Sequence, residues 1–428
     1  MLNRLNFKVP SILFLLAATA FSVYAQTRNL PNPRQEKLLN GLKVLMWNDP
    51  QAEKVSVKIR VHSGSAFDPQ GKEGVMQMLA DNIFPSESAR EFFADDLGGS
   101  LEVATNYDYI QINATAKSEE FLTMLETLAN AVSKPTIDKE TTAKLRSARL
   151  EKINELEKNP AYVADRAVAQ RLLGTFPYGR PQMGTPQSVQ KIDFADLIFA
   201  KDRFFTADNA TIAISGNIKP ELAFRAVRRY FGAWAKSENR VPATFRQPDE
   251  PDTKAAVIKS PLADNSEIRF ALRGFARNDK DFTASKILTK IMQNRLRKEF
   301  SKEQQINAFV RQDSNLLPGV IVVGLSNLPM ENGASTAKTE NIAANLVSGK
   351  ITVDEFEKAK TEVLTEVNQQ PPAEIWLDVD TYRLASAKDD FQKISGVTIN
   401  EVQAVAEKLI KTPTVTVMLV GAKDEKKM

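Results

Sequence analysis

Histidine is the commonest zinc ligand and the usual general base of hydrolases, and this chain has one, His62. Chemistry that needs two imidazoles in one subunit is thereby excluded. Cysteine is absent, so disulfides, thiolate metal ligands and a lipid-modified N-terminal cysteine are excluded as well. Serine, aspartate, glutamate and lysine are plentiful, yet no nucleophile constellation such as G-x-S-x-G occurs. Lys plus Arg number 57 against 53 Asp plus Glu, a formal charge of +4. Short basic clusters such as Arg295, Arg297 and Lys298 fit a solvated helix face and leave no footprint for nucleic acid.

The elements that would position any site come next. A chain of 428 residues with 43% hydrophobic content has enough apolar surface for two domains with separate cores. An internal duplication supports two. Asp193–Gly216 aligns without gaps on Thr398–Gly421, with Leu197 on Val402, Ala200 on Val405, Phe204 on Leu409, Ile212 on Val417 and Ile214 on Leu419. In each copy a helix-period stretch passes into a strand-period stretch that ends at glycine. Val55, Val57, Ile59 and Val61 alternate with Ser56, Lys58, Arg60 and His62, the pattern of a half-buried strand with His62 turned away from the apolar face. Ile268, Phe270 and Leu272 alternate with Arg269, Ala271 and Arg273 in the same way, and Val320–Val323 opens another strand. Phe121, Met124, Leu125, Leu128, Ala129 and Val132 recur at helical spacing and predict a helix packed on that first sheet. Pro242, Pro248 and Pro251 among polar residues mark 236–252 as a linker between the halves.

The N-terminus has the pattern of an export signal: Arg4 and Lys8, an apolar stretch from Ile12 to Val23, then Val23-Tyr24-Ala25 with small residues where a signal peptidase cuts. Residues 1–25 are expected to be removed, leaving a periplasmic or secreted chain. The apolar run is shorter than the ~20 residues that span a bilayer, and no later stretch is long and apolar enough to do so, so no integral membrane span is expected after cleavage.

Several short motifs then occur in a fixed order. They are Asn40-Gly41-Leu42-Lys43-Val44, Gly64-Ser65, Leu97-Gly98-Gly99-Ser100 followed by Asn106, Phe176-Pro177-Tyr178-Gly179-Arg180-Pro181 with Gly184-Thr185-Pro186, Asp208-Asn209-Ala210-Thr211 and Tyr230-Phe231-Gly232-Ala233-Trp234. Each is weak alone, but in this order and spacing they resemble the zinc-peptidase family of insulinase, pitrilysin and the mitochondrial processing peptidase, over nearly the whole mature chain. The resemblance implies an α+β fold of two duplicated domains, 30–235 and 253–424, each a mainly antiparallel sheet with helices packed on it.

Members of that family hold zinc with an inverted H-x-x-E-H motif on one helix and a distal glutamate on another. Two imidazoles four residues apart share a helix face, and the glutamate activates the metal-bound water. Aligned on Gly74 and on Ile83-Phe84, the first histidine's place is taken by Gln77, the glutamate's by Ala80 and the second histidine's by Asp81. Counting back from Pro160 through Ile153 puts Lys152 at the distal ligand, after Glu151. An ammonium there repels a cation, and Ala80 removes the general base. Asp81 and Glu151 together would suit a harder ion such as calcium, but two exposed carboxylates more often form a solvated surface. An arginine and a tyrosine that bind substrate in the family's second domain fall on Ser301 and Ala308, with Arg295 or Arg297 reachable by a small register shift.

The resemblance therefore implies no metal in this chain and zinc only in a catalytic partner. The leading expectation is a non-catalytic subunit that pairs with a zinc-bearing homologous peptidase subunit, walls a chamber for peptide substrates and does not hydrolyse peptides when isolated. The alternative is a stand-alone peptide-binding protein, monomer or homodimer, that takes peptides by strand addition at a sheet edge.

Overall fold

The structure is a computed structural model that describes residues 30–237, 245–260, 265–328, 345 and 348–421. The expected export segment 1–25 and part of the 236–252 segment lie outside the described residues.

The N-terminal half forms a six-stranded sheet from β1 (Arg34–Lys37), β2 (Lys43–Asn48), β3 (Lys54–Val61), β4 (Ser100–Thr105), β5 (Ile110–Lys117) and β6 (Ala210–Gly216), in the order β1-β2-β6-β3-β5-β4. The C-terminal half forms a five-stranded sheet from β7 (Ala256–Ser260), β8 (Ser266–Arg273), β9 (Asn307–Gln312), β10 (Val320–Leu328) and β11 (Thr414–Gly421), in the order β7-β11-β8-β10-β9. With β1 set aside the two orders coincide strand for strand. The one parallel pair falls in the same place in each, β2 with β6 and β7 with β11, and every other pair is antiparallel. The duplication read from Asp193–Gly216 and Thr398–Gly421 is thus a duplication of topology. It extends to the helix caps, because Asp193 and Thr398 each close a capping box at the start of helices Phe194–Phe204 and Ile399–Ile410.

Each sheet packs one face on its own helices. Val55, Val57, Ile59 and Val61 meet helices Val75–Ile83, Phe121–Ser133, Phe194–Phe204 and Pro220–Phe231 in the first core, including every residue of the expected Phe121–Val132 stripe. Ile268, Phe270 and Leu272 meet helices Phe282–Glu299, Val353–Gln369 and Ile399–Ile410 in the second.

The other face of each sheet differs from the sequence expectation. β8 is buried on both faces, and β3 keeps its alternation except at Arg60, because each half lends one helix to the other's sheet. Helix Pro372–Tyr382 lays Ala373 and Leu377 against Leu45 and Ala213 of the first sheet. Helix Pro160–Leu173 lays Val168 and Leu172 against Ala271, Val415 and Val417 of the second. Alternation reports only that one face is polar, and the polar face here is sealed by ion pairs. Arg60 on β3, 1% exposed, donates to Asp378 at 2.7 Å and Glu374 at 2.5 Å. Arg269 on β8, equally buried, donates to Asp165 of helix Pro160–Leu173 and to Glu267. A buried guanidinium on a central strand, paired to carboxylates of the exchanged helix, thus recurs in both halves.

The described part of the 236–252 segment is anchored despite its linker composition. Phe245 stacks edge-on to Phe67 and Phe176 at 5.7 and 6.4 Å, and Arg171 donates to Asp252 at 2.8 Å.

Candidate functional site

Helix Val75–Ile83 is set by what precedes it. Gly74 has a φ of +106°, a left-handed conformation that a side chain rarely adopts, and a Cβ there would stand 2.9 Å from the Met183 carbonyl oxygen. The Asp68 carboxylate accepts the backbone N–H groups of Gly74 and Met76 at 2.8 and 2.7 Å, so it supplies the acceptor and the negative charge that a helix N-terminus favours. Burial nevertheless pushes the Asp68 carboxyl up to about 7, against the pull of those amides and of Arg180. Val75, Met76, Met78, Leu79 and Ile83 enter the first core, and Ala80 is buried with them. Gln77 and Asp81, four residues apart, share the remaining face.

Helix Lys139–Glu157 runs against this one. Its start is fixed by Asp138, whose side chain accepts from Thr141 N at 2.8 Å. Ile153 is buried in the core, and Arg149, also buried, reaches across to the other helix. Its Nη1 donates to Gln77 Oε1 at 2.6 Å and its Nη2 donates to Asp81 Oδ2. Lys152 is exposed one turn further on; burial raises the pKa of the Asp81 carboxyl, against the pull of Arg149 and Lys152. The fold therefore gathers Gln77, Ala80, Asp81 and Lys152 at one place and joins two of them through Arg149, a residue the sequence reading did not single out.

These residues do not fit a zinc ion. A guanidinium carries only donors, so it takes up the one good acceptor of Gln77 and an oxygen of Asp81 that a metal would need, and it puts a fixed positive charge between the helices. Nor do Asp81 and Glu151 stand as a free carboxylate pair for calcium, since Asp81 is engaged by Arg149. Among the described residues no group of three or more His, Cys, Asp or Glu side chains is placed to hold a metal ion.

Ser301 and Ala308 lie elsewhere. Ser301 follows helix Phe282–Glu299 and donates to the Lys298 carbonyl at 2.9 Å, while the Ala308 carbonyl on β9 accepts from Gln293 at 3.1 Å. Arg295 is bound to Glu355 through Nε and Nη2 at 2.8 and 3.0 Å, which makes it a strut between helices Phe282–Glu299 and Val353–Gln369. A cleft of about 650 Å³ does open between the halves, with Gln77, Tyr107 and Arg180 on one wall and Arg311, Gln312 and Asp313 of β9 and its following turn on the other.

His62 is part of the seam between the halves. Its ring nitrogens lie 3.0 Å from the hydroxyls of Thr211 and Thr381, and Asp380 beside them accepts from Thr211 at 2.9 Å and pairs with Lys43 at 3.1 Å. On the same seam Asp108 accepts from Tyr178 Oη at 2.7 Å and from Leu316 N at 3.0 Å, and burial pushes its carboxyl up to about 6.

Two models of one peptidase family match in tandem: insulinase (peptidase family M16) over residues 43–186, and the peptidase M16 inactive domain over 191–363. The chain belongs to the insulinase family. A zinc protease of Rickettsia bellii is 24% identical over 218 residues, covering 49% of this chain and 52% of that protein. The chain spans about half the length of the curated relatives it matches. Among solved structures, a protease from Helicobacter pylori superposes with a TM-score of 0.83 at 17% identity, over 91% of this chain and all of the other. A peptidase M16 inactive domain from Pseudomonas fluorescens does so with a TM-score of 0.81 at 20% identity, over 91% and 98%. At such identities these two structures establish the shared fold. No helix among the described residues is long and apolar enough to cross a membrane.

Proposed function

We propose that this chain is a non-catalytic insulinase-family subunit that pairs with a zinc-bearing homologous peptidase subunit in the periplasm, walls part of the peptide chamber and steadies its partner. Domains 30–235 and 253–424, joined through 236–252, form that subunit once residues 1–25 are removed. Gln77, Ala80, Asp81 and Lys152 stand at the family's ligand and general-base positions, and Ser301 and Ala308 at its substrate-binding pair. Zinc then comes only with the partner. The observation that carries this reading is Arg149, whose guanidinium spans Gln77 and Asp81. Loss of a ligand alone leaves a weak metal site, whereas a buried cation bonded to the remaining acceptors leaves none. What the chain retains is the scaffold and the cleft between its halves, which is large enough to take a short peptide segment.

One feature favours the stand-alone reading. Among the described residues strand β4 pairs with β5 alone and closes one end of its sheet, which leaves its outer edge for an added strand.

Both readings are tested by expressing the chain alone and together with a two-histidine homologue from the same organism. The subunit reading expects the pure chain to carry no stoichiometric zinc by elemental analysis and to leave casein intact, and the pair to co-purify with chelator-sensitive activity. Chelator-sensitive hydrolysis by the pure chain defeats both. Peptide binding by the chain alone, with no co-purification, selects the stand-alone reading.

A further inference from the structure

Loop 313–319, between β9 and β10, forms part of three openings along the seam. Asp313, Ser314 and Asn315 line the cleft of about 650 Å³ that Tyr107, Arg180 and Met183 also line, while Ser314 and Leu316 reach two further cavities. Within its own half the loop is held by backbone, since Asn315 O accepts from Arg277 N at 2.8 Å and Gly319 O from Gly274 N at 2.9 Å. Its described hydrogen bonds to the first half run through one pair of side chains. Asp108, in the turn between β4 and β5, accepts from Leu316 N at 3.0 Å and from Tyr178 Oη at 2.7 Å, and Tyr178 Oη accepts from Leu317 N at 3.1 Å. Both side chains are buried.

Asp108 differs from the other carboxylates that cross the seam. Glu374 and Asp378 face Arg60, Asp380 faces Lys43 and Asp165 faces Arg269, whereas Asp108 has no ion-pair partner among the described residues. The titratable groups that face it are tyrosines: Tyr109 of its own turn, Tyr178, and Tyr382 of helix Pro372–Tyr382. Arg60, 4.1 Å from the Tyr109 ring centre, is committed to Glu374 and Asp378. Asp313, the loop's one charged residue, pairs with Arg311 at 3.5 Å. An ionised carboxyl buried without a cation is costly, and wetting relieves that cost. We infer that Asp108 and Tyr178 latch loop 313–319 to the first half, and that releasing the latch swings the loop out and widens the cleft. The rest of the seam, clamped by its ion pairs, stays in place. Burial pushes the Asp108 carboxyl up to about 6, against the pull of the Tyr178 hydroxyl and the Leu316 amide. Wetted on release it returns to the ordinary carboxylate range, so the latched form keeps a proton that the released form gives up. The latch is thus firm in acid and loosens as pH rises through 6. This device needs neither zinc nor a partner subunit, and it stands whatever occupies the cleft.

Amide exchange at Leu316 and Leu317 of the full chain, corrected for the intrinsic pH dependence of exchange, reads the released fraction. It should rise about tenfold between pH 5 and pH 7.5, while the amides of β10 stay protected. Asp108→Asn should flatten that rise. Tyr178→Phe removes a donor and an acceptor, and should raise exchange at both amides about tenfold or more at pH 5. A tyrosine that served packing alone would leave the exchange as it is, since phenylalanine keeps the ring. The chain has no cysteine, so Lys158→Cys and Ser314→Cys together carry two spin labels and no others. Their distance distribution should shift outward and broaden when Tyr178→Phe is added. Exchange unchanged by Tyr178→Phe, a pH rise that persists in Asp108→Asn, or a label distance that does not move overturns the inference.

Discussion

By chain order, helices Val75–Ile83 and Lys139–Glu157 of the first half correspond to helices Phe282–Glu299 and Val353–Gln369 of the second, and the two pairs are held together differently. In the second half a stripe of contacts runs along the seam: Lys290 pairs with Glu366, Asn294 donates to Glu362 at 3.0 Å, and Arg295 binds Glu355. These side chains are partly exposed and share the load. In the first half the polar contacts converge on one buried guanidinium, that of Arg149. The difference places the weight of that seam on a single residue, Arg149, where we propose that the family's ligand positions fall.

The comparison breaks most visibly if that position is rebuilt. Gln77→His, Ala80→Glu, Asp81→His and Lys152→Glu together restore the family's ligand types, but with Arg149 intact a guanidinium remains between the helices. Zinc affinity, measured by competition with a chromogenic chelator, is expected to rise at least tenfold further when Arg149→Leu is added. Equal affinity with and without Arg149 would show that its charge does not guard the site. In the unaltered background Arg149→Met should cost about 2–3 kcal/mol in urea denaturation, because it leaves Gln77 and Asp81 without their shared donor at a helix contact. A loss below about 1 kcal/mol would place this seam on a par with the second.

How much of this was legible in the sequence depends on how local each signal is. Asp193–Gly216 and Thr398–Gly421 announced the duplication because a helix, a cap and a strand are each written within a few residues. That Gln77, Ala80, Asp81 and Lys152 lie near one another could be read ahead because motif spacing is local, and the proposal that they stand at ligand positions rests on that spacing. Arg149 was not legible, since nothing on a largely polar helix distinguishes an arginine that faces solvent from one that meets a second helix about seventy residues away in sequence. Arg60, Glu374 and Asp378 escaped for the same reason. Alternation in β3 marked a polar face, but whether that face meets water or an exchanged helix depends on residues some three hundred positions later. His62, conspicuous as the only histidine, serves as a clasp between threonines.

Acid and base should act on the two seams in opposite senses. Asp68, which caps the helix bearing Gln77 and Asp81, has its carboxyl pushed by burial up to about 7. Between the ordinary carboxylate range and that value the folded chain keeps a proton that the unfolded chain has lost, so this contribution is present at low pH and is lost as pH rises through 7. Asp108, raised to about 6, adds in the same direction. Stability should therefore fall by about 1–2 kcal/mol from pH 5.5 to 7.5 by urea denaturation, and Asp68→Asn should flatten that slope. A stability that rises over the same interval would contradict the cause assigned.

Glu355 shows the opposite behaviour. Hydrogen bonding by Arg295, reinforced by the Thr352 amide and hydroxyl, holds its carboxyl down at about 2. Its contribution is full above the ordinary glutamate range and is lost as pH falls toward 2. Arg295→Met removes a partly exposed pair from a stripe that keeps its other members, so the cost at pH 7 should be only about 0.5–1 kcal/mol. That cost should shrink below about pH 4, as Glu355 in the variant takes up a proton that the parent resists. A loss from Arg295→Met as large as that from Arg149→Met would mean that the second seam also hangs on one arginine, and the contrast between distributed and convergent clamping would disappear.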